Sequence, residues 1–132
     1  MNSMKKKEIK SFKDAWKLPF KKDPEGLAVY IWDSENHVCF NYLGESYEKY
    51  CRIVDLLNGV EGTVPFKGVG RDDQHIAATD DVTEDTARPC LFVRGWGHLT
   101  GGGALNLPYE KAVELQNELI DYCVNKLHGK NE

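Results

Sequence analysis

Leu27-Ala28-Val29-Tyr30-Ile31-Trp32-Asp33-Ser34-Glu35-Asn36-His37-Val38-Cys39-Phe40-Asn41-Tyr42-Leu43 is the stretch that decides the fold. Two runs rich in β-branched and aromatic residues flank Asp33-Ser34-Glu35-Asn36, four turn-formers in a row. That pattern predicts a β-hairpin over residues 27–43. Side chains alternate across a strand, so Leu27, Val29 and Ile31 are expected on one face. Val38, Phe40 and Tyr42 are expected to share a face of the partner. The period then changes. Tyr47, Tyr50, Cys51, Ile53, Val54 and Leu57 form one apolar stripe at helical spacing, which predicts a helix over 46–58. Ser46 is placed to cap it and Gly59 to end it. A hairpin followed directly by an amphipathic helix makes the chain α+β.

The second half repeats the theme. Residues 60–74 hold Gly62, Pro65, Gly68 and Gly70 and read as a connection, with a short strand around Val64 to Val69. His75 to Thr79 reads as a short strand, Asp80 to Ala87 as a polar turn and Pro89 to Leu99 as a long strand. Together they predict a second hairpin over 75–100. On the long strand Leu91 and Val93 point one way, while Cys90, Phe92, Arg94, Trp96 and His98 point the other. Gly95 and Gly97 suggest a bulge there. After a glycine-rich loop over 100–107, Pro108 suits the first position of a helix over 108–128. Its stripe is Ala112, Leu115, Leu119, Cys123 and Leu127, widened by Ile120 and Val124, and Gly129 ends it. Both helices open on Tyr-Glu-Lys, at 47–49 and 109–111, so a duplicated ββα unit is one expectation. The architecture expected with or without it is an antiparallel sheet of two hairpins with two helices packed on one face.

A chain of 132 residues fits one domain. With 41% hydrophobic residues it lies outside the disordered range, and no apolar run approaches the length of a bilayer span. Residues 1–22 have a basic start without an apolar core, so export by a signal peptide is not expected. The net charge of −4 is an average. Residues 1–22 carry eight lysines against Glu8 and Asp14, and the rest of the chain is strongly acidic. The expected division is a basic N-terminal arm, 1–26, and a single α+β domain, 27–132. Within the arm Ile9, Phe12 and Trp16 suit one helix face, and Pro19 and Pro24 limit it. Cys39, Cys51, Cys90 and Cys123 have no C-x-x-C spacing and apolar neighbours, so they read as reduced core thiols of a cytoplasmic protein.

The stretch Arg94-Gly95-Trp96-Gly97-His98 brings together a permanent cation, a flat aromatic ring and a titratable imidazole. On one strand face these side chains can bind an anionic ring, a nucleotide base or an acidic peptide, with Arg71 as a further cation. Packing of Trp96 under the long helix is the structural alternative. Asp72, Asp73 and His75, with His98, offer the carboxylates and imidazoles of a small hydrolase or ligand-modifying enzyme. No metal set of three or four ligands has local support, no Ser/His/Asp or Cys/His signature is present, and no cofactor is expected. Gly101-Gly102-Gly103 precedes a helix but lacks the Lys-Ser/Thr of a phosphate loop.

The segment Arg88-Pro89-Cys90-Leu91-Phe92-Val93-Arg94-Gly95-Trp96-Gly97-His98-Leu99-Thr100-Gly101 resembles a stretch that recurs in small proteins encoded by bacteriophages and integrated mobile elements of gut bacteria. The similarity continues into Ala104-Leu105-Asn106-Leu107-Pro108 and the glutamate-rich helix. Val29-Tyr30-Ile31-Trp32-Asp33 and the helix ending in Asn58-Gly59 resemble their N-terminal part. Cys90 and His98 depart from the aromatic or aliphatic residues expected there. The resemblance implies no activity, cofactor or catalytic residue. With no catalytic constellation and with Arg94, Trp96 and His98 on one strand face, the expected function is a small non-enzymatic accessory protein of mobile-element type that binds a protein or a small anionic ligand, with a homodimer as one expectation. Nucleic-acid binding through the lysine arm, with Trp96 as a stacking platform, is the third alternative.

Overall fold

The computed structural model describes residues 8–83 and 88–130. The elements in chain order are α1 (Phe12–Ala15), β1 (Tyr30–Trp32), β2 (Val38–Tyr42), α2 (Tyr47–Leu57), β3 (Gly68–Asp72), β4 (His75–Thr79), β5 (Leu91–Val93), α3 (Trp96–Leu99) and α4 (Tyr109–Leu127). The fold is α+β, and the five strands form one antiparallel sheet in the order β1-β2-β5-β4-β3. Both main helices form as their sequence dictates. The Ser46 hydroxyl accepts from the Lys49 amide at 3.1 Å, and α2 buries Tyr50, Ile53, Val54, Leu56 and Leu57. Pro108 stands at the cap of α4, which buries Ala112, Leu115, Leu119, Ile120, Cys123 and Leu127. Gly59 and Gly129 follow the two helices at φ +70° and +80°, the left-handed conformation glycine adopts without strain.

The helices gather on one face of the sheet. Buried Ile31, Phe40 and Val93 lie opposite one another on β1, β2 and β5, and Tyr42, Leu91 and Ile76 make the next such row. Tyr42 packs on Tyr50 of α2 with ring centroids 5.4 Å apart. α4 touches α1, α2 and α3 and covers β3 and β4. No described helix is long and apolar enough to cross a membrane.

Several local expectations change. The first hairpin forms, but β1 starts only at Tyr30, and Leu27 and Val29 are 55% and 39% exposed. A bulge pairs Ile31 with Phe40 but Trp32 with Val38, leaving Cys39 as the extra residue of β2. Val38 thereby leaves the face of Phe40 and Tyr42. The expected strand around Val64 to Val69 starts only at Gly68 and runs to Asp72. It forms a tight hairpin with β4 through Asp73, whose φ is +54°. β5 lies between β2 and β4, pairing with both. The order β1-β2-β5-β4, with a helix after each pair, is what two ββα units would give, with β3 added at one edge.

The strand expected to reach Leu99 stops at Val93. Trp16, fully buried, lies against the backbone of Gly95, where a Cβ would overlap the indole. The chain turns there into α3, closed by His98 N–H to Gly95 O at 3.1 Å and Thr100 N–H to Trp96 O at 3.2 Å. Trp96 and His98 consequently do not extend the strand face of Phe92 and Arg94. Part of the expected turn over 80–87, and the first residues of the lysine arm, lie outside the described residues.

The packed core runs across the boundary drawn at residue 26. Phe12, Ala15, Trp16 and Phe20 are buried in it, with Ile9 and Leu18 packed against it. Asn58 clamps Phe20 at both backbone atoms, accepting from its N–H at 2.7 Å and donating to its carbonyl at 2.9 Å. Lys21 pairs with Trp32 across the outer edge of β1 through two backbone hydrogen bonds of 2.7 and 3.1 Å.

Candidate binding face

Register sets one row of side chains on the sheet face away from the helices. Tyr30 stands opposite Asn41, Asn41 opposite Phe92, Phe92 opposite His75 and His75 opposite Asp72. The row crosses all five strands. The His75 and Phe92 rings lie 5.0 Å apart. Arg94 is the next residue along β5's direction that returns to this face. Its guanidinium donates to Asn41 Oδ1 at 3.2 Å and lies 5.4 Å from the Tyr30 ring centroid. At such a distance a cation is attracted to the electron-rich ring face.

The β1 end of the row opens into a groove of about 590 Å³, lined by Lys21, Lys22, Asp23, Pro24, Glu25, Tyr30, Trp32 and Asn36. Tyr30 and Trp32 meet there with centroids 5.9 Å apart and planes 59° apart, so the groove has two aromatic walls. Its volume lies within the ~300–1,000 Å³ usual for small-ligand pockets. Lys22 is paired with Asp55 at 3.1 Å. Lys21 forms no ion pair among the described residues and is exposed.

Of the four binding residues expected from the sequence, Arg94 alone lies on this face. Arg71 pairs with Ile76 in register and so points to the helix side, where it reaches Asp121 at 3.1 Å and Asn117 at 3.0 Å on α4. Trp96 is half-buried, edge-on to Tyr109 at 5.8 Å. His98 lies at the end of the sheet, its Nε2 2.8 Å from the Ala15 carbonyl and its ring 6.3 Å from that of Trp16. The hydrolase alternative required His98, His75 and Asp72 together. His75 packs on Phe92, while His98 packs on His37 and Trp16. Among the described residues no three His, Cys, Asp or Glu side chains are grouped to hold a metal.

Asp33, a turn-former by sequence, is fully buried and acts as an acceptor hub. It accepts from the amides of Lys17 at 2.8 Å, Glu35 at 2.9 Å and His37 at 2.9 Å, and its Oδ2 lies 3.1 Å from His37 Nδ1. Burial alone would raise its pKa, but these donors outweigh that and hold it below the ordinary carboxylate value. Burial pushes the thiols of Cys39, Cys90 and Cys123 up, so they stay protonated and unreactive.

The class these observations define is an α+β protein with one helix-covered sheet face and one aromatic, cation-bearing face. No protein-family model matches the chain, and neither the curated proteins nor the solved structures contain a significant match.

Proposed function

We propose that this is a small non-enzymatic binding protein that holds a planar ring carrying a negative charge in the groove of Tyr30 and Trp32. One observation carries the reading: two tilted aromatic walls meet in a groove that Lys21 lines together with Asp23 and Glu25, and the Arg94 guanidinium lies against the Tyr30 ring. Stacking on either wall supplies contact area at little entropic cost, and the cations select for charge. The four cysteines are all free, which supports a reducing compartment such as the cytoplasm. An accessory role of mobile-element type is consistent with binding unaccompanied by chemistry.

The test is a fluorescence titration with thymidine monophosphate and with uncharged thymidine. The monophosphate should quench tryptophan emission saturably and bind more tightly than thymidine. Trp32→Ala should weaken it about tenfold or more, the loss expected for one ring stack worth ~1–3 kcal/mol. Arg94→Ala should erase most of the preference for the charged form. Saturable binding that ignores both substitutions, or no binding at all, overturns the reading.

A further inference from the structure

We infer that the ligand of this face is a single-stranded nucleic acid, lying across the strands from β1 to β4. The inference rests on the groove reading and extends it. Tyr30 and Phe92 stand in the same transverse row with the strand of Asn41 between them. Neighbouring strands are ~4.8 Å apart, so the two rings sit about 10 Å from each other. One base cannot cover both, whereas consecutive bases of an unstacked strand can each take one. His75, 5.0 Å from Phe92, lengthens the second platform. Asn41 stands between the two platforms, and its amide NH₂ can read a base edge, with its oxygen held by Arg94. Arg94, against the Tyr30 ring, can neutralise one backbone phosphate, and Lys21 a second at the rim of the groove, which Asp23 and Glu25 also line. Asp72 closes the far end of the row with a like charge, which limits the strand to the span between Tyr30 and His75. The platform is thus Tyr30, Phe92 and His75, not the Trp96 expected from the sequence.

The test compares an eight-nucleotide oligothymidylate with thymidine monophosphate by fluorescence anisotropy and tryptophan quenching. The oligonucleotide should bind at least about tenfold more tightly than the monophosphate. Phe92→Leu, which keeps the bulk and removes the ring, should cost the oligonucleotide about tenfold and leave the monophosphate unchanged. His75→Ala, at a half-buried position, should act in the same direction. Trp32→Ala should weaken both ligands. With two phosphate contacts, log K should fall with log salt at a slope of about −1.4, since a single strand gives ~−0.7 per phosphate. If the monophosphate binds and the oligonucleotide binds no tighter, or is indifferent to both Phe92→Leu and His75→Ala, the inference fails and the groove reading stands. If neither ligand binds, both fail.

Discussion

The imidazole of His37 lies stacked on that of His98, with centroids 4.0 Å apart and planes 26° apart. Each ring is fixed from outside the pair, His37 by Asp33 and His98 by the Ala15 carbonyl. A proton on His98 would put a cation in this tightly packed, half-buried stack.

Acid should therefore loosen the protein in two stages. Burial lowers the pKa of His98 below the ordinary 6.5; the Ala15 carbonyl opposes this, and the nearby His37 adds to it. The unfolded chain then takes up the proton first, so the His98 contribution is present above pH 6.5 and is lost as pH falls through its folded pKa. Asp33 has a depressed pKa, so its contribution is present above about 3.8 and is lost as pH falls through its own folded value. Urea midpoints measured from neutral to acid pH should decline first below about pH 6.5 and again below about pH 4. His98→Gln keeps an N–H donor and removes the titration. If the first decline survives in that variant undiminished, His98 is not its source.

Asp33→Ala should be among the more damaging polar substitutions. It strands the amides of Lys17, Glu35 and His37, each within 2.9 Å of the carboxylate. A loss of about 2–3 kcal/mol at neutral pH is expected, because stranded buried donors cost ~1–3 kcal/mol. Asn at this position keeps one acceptor oxygen and should recover part of the loss. Equal unfolding midpoints for wild type and Asp33→Ala would dismiss the hub.

The two glycines of the Arg94–His98 stretch should answer oppositely to alanine. A methyl at Gly95 meets the indole of Trp16, whereas one at Gly97 meets nothing within 4 Å. Among the described residues the Trp16 N–H has no hydrogen-bond partner, so packing holds the ring in place. Gly95→Ala should destabilise by ~1–3 kcal/mol through overpacking, while Gly97→Ala should be neutral or slightly stabilising. Urea unfolding of both variants decides it, and a Gly95→Ala protein as stable as wild type contradicts the packing described.

Thiol chemistry should single out one cysteine. Cys39, Cys90 and Cys123 are buried, and Cys51 is half-exposed on α2. A thiol reagent at neutral pH should modify one equivalent quickly and the other three only on unfolding. Cys51→Ser should abolish the fast phase, and a second rapid equivalent in the native protein would count against the burial seen at the other three positions.

What was legible in the sequence was local. The stripe of Tyr50, Ile53, Val54 and Leu57 specified α2, and Ser46 specified where it starts, because cap and stripe lie within one helix. The Gly68–Asp72 strand was legible only in part, as a strand expected earlier, around Val64 to Val69, since two of its five residues are glycines of poor strand propensity. It is held by β4, its hairpin partner, and by the Arg71 contacts to Asp121 and Asn117 of α4, which lie 50 and 46 positions further along the chain. The end of β5 is not legible locally either. Nothing adjacent to Gly95 announces Trp16, yet Trp16 decides which way the chain turns. In the candidate site Arg94 was visible as a cation in a strand-like run. Tyr30, Asn41 and His75 become its neighbours, with Phe92, only through the register of four strands.

The seam between β2 and β5 has a consequence for synthesis. Arg94 and Asn41 bond across it although 53 positions separate them. As the chain emerges from a ribosome, the first hairpin and α2 exist well before their central partner does. In that interval β2 presents an unpaired edge beside Phe40 and Tyr42, the kind of edge on which chains pair wrongly. Premature termination anywhere between Tyr42 and Leu91 should therefore yield fragments that clump or are degraded, and a nascent chain stalled in that window should be the form most dependent on chaperones.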